Sequence, residues 1–272
     1  MFTGVMATPL RSPILTTPRV RHRKSVEKLS PGQLKALRDG FAAIQRLRDS
    51  RGFWHWAGLH GAPGNDCEHS ANRFDSLFLP WHRAYLYRLE LALQTQVPEC
   101  TLPWWDWPAS RTSGGIPAAY EDIAGELNPL AGADLPPLLT ESEGWPSHTS
   151  RNPGPPSRLP SAGQVERILE LPDFNDFSLK LKEQLHNAVH GWVGGTMGVI
   201  ATAAYDPIFW AHHTMVDRLW ALWQVRHSNR GPRPGQWRVV LRALDMTVGD
   251  VLDTTALGYD YAASTAHRQV SA

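Results

Sequence analysis

Two histidines stand four apart in LHNAVHGW, His186 and His190, and two stand side by side in DPIFWAHH, His212 and His213. Helical residues four apart share a face, so His186 and His190 can reach one ion. Adjacent helical side chains point about 100° apart, so His212 and His213 do different work, and one of them can supply a third ligand. The first half of the chain offers a matching set. His60 lies in GLHG, His69 in CEHS and His82 in LPWHR, with His55 close by. Three imidazoles suit zinc, copper or iron, and the absence of nearby cysteine pairs argues against structural zinc. Two such clusters facing each other would make a dinuclear site. No carboxylate is expected at the inward positions that a di-iron carboxylate protein needs, with its E-x-x-H pairs. All-imidazole ligation favours copper, because neutral imidazole holds both Cu(I) and Cu(II). A mononuclear zinc hydrolase built on His186 and His190 would leave the first cluster unexplained, and it lacks the Glu of H-E-x-x-H.

The elements that must position these histidines are mostly helical. Ser30-Pro31 is an N-cap and first-turn pair, and Leu34, Leu37, Phe41, Ile44 and Leu47 recur at helical spacing until Gly52. A Gly- and Pro-containing loop is expected from Trp56 to about Phe78. A second helix starts at Pro80, with Tyr85, Leu86, Leu89 and Leu93 on its apolar face, and Pro98 stops it. Residues 108–164 are rich in Pro, Gly and Ser and predict a long surface excursion. A third helix is expected from about Ser178 to Val193 and a fourth from about Pro207 to His227. WRVVLRAL fits strand or helix, and TVGDVLD one short helix. The expected fold is mainly α: a four-helix bundle core holding the dinuclear site, with long irregular loops and little β. Residues 1–29 read as an extended arm, 30–261 as the catalytic domain and 262–272 as a tail.

Composition narrows the function. With 272 residues, 42% hydrophobic and 19% charged, the chain is long enough for a substantial core. A net charge of +1 gives no global field for nucleic acid or an anionic membrane, and no apolar run is long enough to span one. The first 25 residues show no apolar h-region, so a cytoplasmic chain is expected, with export beside a partner protein as the alternative. Two cysteines, Cys67 and Cys100, cannot build a disulfide framework. Twelve histidines and twelve tryptophans make the metal question sharper.

Four segments, FLPWHRAYLYRLE, LPWWDW, HNAVHGWVGG and DPIFWAHHTMVDRLW, occur in this order and together resemble the tyrosinase family of type 3 copper proteins. That family includes tyrosinases, catechol oxidases, o-aminophenol oxidases and molluscan hemocyanins. The resemblance covers about residues 30–261. It implies two copper ions, with O2 as co-substrate. One copper would be held by His60, His69 and His82, the other by His186, His190 and His213. The second histidine of the adjacent pair is the family's ligand, which leaves His212 beside the ligand set or on the substrate side. The spacing between His69 and His82 is longer than the family pattern and reads as an insertion in NRFDSLF, with His55 in reserve.

Further roles follow from the same resemblance. Cys67 would join His69 through a thioether; a plain reduced thiol is the alternative. Asn187 and Glu183 would orient a water that takes the phenolic proton, or Glu183 is an ordinary solvated residue. Asp217 would hold a neighbouring imidazole or pair with an arginine. Met197, Val199 or Ile200 would screen the substrate, and with no blocking Phe there the mouth would be open. Trp81, Trp104, Trp105, Trp107, Trp192 and Trp210 would wall the site. Tyr259 and Tyr261 resemble the Tyr-x-Tyr motif that closes the family's catalytic domain, and with eleven residues after it no plugging domain is expected. His22, His148, His227 and His267 are expected at the surface. The implied activity is ortho-hydroxylation of monophenols, oxidation of o-diphenols to o-quinones, or both, on a small phenolic substrate. A catechol or o-aminophenol oxidase without monophenol hydroxylation, and a hemocyanin-like O2 binder, are the alternatives. A separate copper chaperone is compatible.

Overall fold

The computed structural model describes residues 20–67, 77–142, 144–228 and 231–262. It is mainly helical, as the sequence predicts. Five named helices carry the site: α1 (Pro31–Arg46), α2 (Phe53–His60), α3 (Phe78–Gln96), α4 (Phe174–Lys180) and, after a π-helical segment at Leu181–His186, α5 (Asn187–Val193). A sixth, α6 (Ile208–Arg226), completes the set. α3 and α6 are the central pair. Each is 19 residues long and buries side chains on nearly every face, which is why neither sequence shows a narrow apolar stripe. α1 and the α4–π–α5 run pack outside them. Among the described residues no helix is long and apolar enough to cross a membrane.

Local chemistry sets the helix ends. Ser30 and Gln33 form a reciprocal capping box at the start of α1. Leu37, Phe41 and Ile44 are fully buried behind it, and Gly40 lets Cys100 Sγ and Leu93 close in. α1 ends at Arg46, earlier than expected, because Gly52 opens the next helix rather than closing this one. The expected loop from Trp56 is corrected likewise. Phe53–His60 is helical, with Phe53, Ala57 and His60 on its buried side, and the breakers Gly61, Pro63 and Gly64 all follow it. Pro80 lies in the first turn of α3, where its missing N–H costs nothing. The third predicted helix begins four residues early, capped by Asp173, whose carboxylate accepts from Asn175 N at 2.9 Å and Asp176 N at 3.1 Å.

The Pro-rich excursion carries short helices at Pro137–Ser142 and Ala162–Leu169 and tucks Tyr120, Leu130, Leu139 and Leu159 into the core. Arg151 ties it to the entrance of α6: it donates to both Asp206 oxygens, at 2.7 and 2.5 Å, and to the Leu130 carbonyl at 3.0 Å. Strand is minor. β1 (Arg21–Arg23) will pair in parallel with a last strand, and β2 (Val240–Leu241) forms a hairpin with β3 (Met246–Thr247). That last strand is β4 (Tyr259–Tyr261), so the two ends of the described chain lie together. WRVVLRAL therefore resolves as a two-residue strand, and TVGDVLD as a single 3-10 turn at Gly249–Val251.

Candidate metal centre

α5 and the π-helical segment present His186 and His190 one turn apart, and α6 presents His213 opposite them. Their three Nε2 atoms form a triangle with edges of 3.0, 3.3 and 3.3 Å. The outer nitrogens say what the inner ones carry. His186 Nδ1 donates to Asn187 Oδ1 at 2.9 Å and His190 Nδ1 donates to the Met197 carbonyl at 2.8 Å. A neutral imidazole has one N–H, so both Nε2 atoms hold lone pairs, and these face each other at 3.0 Å. Two acceptors at that distance repel unless a cation lies between them. An ion about 2.0–2.1 Å from three imidazole nitrogens leaves them about 3.0–3.4 Å apart, which is the triangle present. The donor set therefore fits a metal ion.

The second cluster forms where α2, α3 and α6 meet. Ligand atoms of His60, His82 and His213 lie within 4.8 Å of one another. His82 Nδ1 donates to the Phe78 carbonyl at 2.7 Å, which turns its Nε2 inward. His82 stacks on His213 at 4.5 Å, and His60 lies with its ring 5.6 Å from His82. His69 lies outside the described residues. Cys67, half-buried, has its Sγ 3.7 Å from His82 Nε2; the thioether to His69 lies outside what is described. His55 points to solvent from the far side of α2, away from both clusters.

Burial favours the uncharged form of His190, His212 and His213. It pushes His190 down to about 4, against the Met197 carbonyl, which pulls the other way. Burial, then the neighbouring imidazoles, drive His212 and His213 well below the usual range. Neutral imidazole is the ligating form.

His212 is fully buried beside the first triangle, its ring stacked on His186 at 5.2 Å and 5.0 Å from Trp107. Asp217 takes the arginine option. It accepts from Arg83 Nε at 2.5 Å, Arg23 Nη1 at 3.3 Å, Tyr259 at 2.7 Å and also from Tyr261, and among the described residues from no imidazole. Asn187 is exposed at the protein surface, as is Glu183, and no hydrogen bond joins the two among the described residues. Met197 is buried and serves through its carbonyl, whereas Val199 and Ile200 are 38% and 54% exposed. Trp81 and Trp107 contact histidines, at 5.0 Å each; Trp105 packs on Trp192, Trp210 on Tyr85, and Trp104 under Arg218. His22 and His148 pair with surface aspartates and His227 donates toward the Leu169 carbonyl; His267 lies outside the described residues.

Two site residues went unread in the sequence. Phe78 packs on His82 at 4.6 Å and His186 at 4.9 Å, and Phe209 on His213 at 4.0 Å and His60 at 4.7 Å. Each stands four residues before a histidine of its own helix. The repeated F-x3-H was the available signal.

The profile of the common central domain of tyrosinase matches residues 50–226. The chain is 32% identical over 219 residues to a tyrosinase of Streptomyces glaucescens, covering 71% of this chain and 80% of that one. It is 31% identical over 243 residues to hemocyanin units G and H of Sepia officinalis, covering 77% of this chain but only 38% of that longer protein. Among solved structures, a functional unit of octopus hemocyanin superposes with a TM-score of 0.74 at 28% identity, covering 90% of this chain and 68% of the other. A tyrosinase from Burkholderia thailandensis gives 0.72 at 24% identity, covering 90% and 74%, a likeness of fold. With histidine clusters that fit a copper site, the chain belongs to the tyrosinase family, whose members bind two copper ions and O2.

Proposed function

We propose that the protein oxidises small phenols with O2, by ortho-hydroxylation of monophenols, oxidation of o-diphenols to o-quinones, or both. His60, His69 and His82 would hold one copper, and His186, His190 and His213 the other. The observation that carries this is the edge of the His186–His190–His213 triangle. His190 is partly exposed while His186 and His213 are buried, and beside it the segment after α5 offers the exposed apolar side chains Val199 and Ile200. A flat aromatic ring has an apolar place to lie there, with its oxygen toward the metals.

When bound, the copper pair supplies the exchange of electrons with O2. The chain's own groups do the rest. The Phe78, Asn187 and Met197 acceptors fix three imidazole rings through Nδ1. Phe78, Phe209, Trp81 and Trp107 keep water from the buried side. A phenol ionises near pH 10, so a monophenol must lose its proton to a base first. Asn187 Oδ1 is occupied by His186, which leaves its amide N–H groups to orient a water, and Glu183 supplies the carboxylate at the same surface. Oxygen binding without catalysis, as in the hemocyanins, is the competing reading, favoured by the octopus superposition. Copper-loaded protein given tyrosine, and separately a catechol, decides between them. Quinone formation with oxygen consumption supports the oxidase; two coppers per chain with neither substrate turned over would sink it.

A further inference from the structure

His212 is the unused imidazole of the centre. It is fully buried, and among the described residues its ring nitrogens find no well-aligned hydrogen-bond partner, only a loose approach to the His186 backbone. His82, His186 and His190 each spend Nδ1 on a fixed acceptor, so they present one nitrogen in one direction. His212 has no such well-aligned acceptor among the described residues. A buried imidazole so poorly satisfied costs stability that a leucine or phenylalanine there would not. Packing alone therefore does not explain a histidine. Its surroundings do: a nitrogen of His212 lies within 4.8 Å of the ligand atoms of His186, His190 and His213, all four within that distance of one another. Its ring meets His190 edge-on at 4.7 Å and His213 at 5.0 Å.

We propose that His212 is a reserve ligand for the copper of the His186–His190–His213 set, so that this pocket holds four imidazoles for three positions and keeps its ion when one of the three lets go. The proposal rests on the copper assignment above. It also gives the adjacent pair a division of labour: His213 faces both clusters, whereas His212 faces one. A ring whose nitrogens are not spent on a well-aligned acceptor keeps a donor available to the ion, which is what a reserve ligand needs.

The test measures copper per chain and its release to a Cu(I) chelator, with folding followed by far-UV circular dichroism. Wild-type protein is compared with His212→Leu, His212→Phe, His213→Ala and the double variant His212→Leu/His213→Ala. His212→Phe keeps a ring against His186 and Trp107 should leucine disturb the fold. We expect both His212 variants to load two coppers but release one about tenfold faster than wild type. His213→Ala should keep an ion in the pocket, and the double variant should lose it. Wild-type release rates in both His212 variants, with His213→Ala and the double variant behaving alike, would overturn the proposal. A wild-type chain with no copper at this cluster would overturn the ligand assignment and the proposal together, which the copper count distinguishes.

Discussion

Asn187 and Met197 do one job by different means: each gives an imidazole Nδ1 an oxygen to donate to, one from a side chain and one from the backbone. Only the side chain is open to mutation without moving the chain. Asn187→Ala should lower copper affinity about 10–100-fold, the usual cost of losing such an orienting partner. It should also slow tyrosine hydroxylation more than catechol oxidation if its amide orients the water that receives the phenolic proton. Glu183→Gln separates the two roles: copper binding should be unchanged and monophenol turnover should fall at neutral pH. Equal losses on tyrosine and catechol in Glu183→Gln, measured by initial rates, would remove Glu183 from proton transfer. At this scale the sequence was informative where spacing maps directly onto a helix face, as for His186 with His190. It was silent on Asn187 as an acceptor, because an Asn beside a histidine looks the same whether its oxygen faces the ring or the water.

The helix run that carries the pair holds a π-helical segment at Leu181–His186, directly ahead of His190. Such segments insert a wider turn and change which residues share a face, and they concentrate at functional sites. No pattern of apolar residues in LKLKEQLH announces one, so the sequence predicted a single regular helix. α2 was missed for a different reason. Its eight residues include three aromatic rings and two histidines, FWHWAGLH, and apart from Gly58 the glycines and prolines that suggested a loop follow it. Where α2 ends, Gly61 is pressed against the segment that follows α5. A Cβ on it would sit 2.3 Å from the Ile200 carbonyl oxygen and 2.6 Å from that of Ala201. The same contact is held by a hydrogen bond from Ala62 N to the Ala201 carbonyl at 3.1 Å. This seam ties His60 to the stretch bearing Val199 and Ile200. Gly61→Ala should therefore cost about 1–3 kcal/mol by overpacking, and it should disturb both ends of the seam. Chemical denaturation would give the stability loss, and copper counting the loss at the His60 cluster. A wild-type melting curve with full copper would show the seam to be soft.

Across the described residues, the metal clusters are joined to the first and last strands by one buried polar network. Arg83 follows His82 on α3, Asp217 lies one turn beyond His213 on α6, and both reach β1 and β4 through Arg23, Tyr259 and Tyr261. Arg23 also donates to Glu90 at 2.7 Å and lies 3.6 Å over the Tyr259 ring. Burial raises the Asp217 carboxyl, but Arg83 and Arg23 outweigh it and hold the carboxyl below its ordinary value. Asp217→Asn would leave the buried Arg83 guanidinium without its anion and Arg23 with Glu90 alone, a loss of about 3–5 kcal/mol. The pH dependence has two windows of the same sign. His190, lowered to about 4, stays neutral in the folded chain while the unfolded chain takes up a proton. Its contribution is present above about pH 6.5, the unfolded value, and is lost as pH falls toward 4. Asp217 contributes above about pH 3.9, and that share is lost as pH falls through its lower folded value. Metal-free protein should thus melt at steadily lower temperature from about pH 6.5 downward, and steeply below about pH 4. In Asp217→Asn the second drop should shrink while the first remains. A melting temperature flat between pH 6.5 and 4 in the metal-free protein would mean that the buried imidazoles accept protons in place, and that the clusters are wetter than their packing against Phe78 and Phe209 implies.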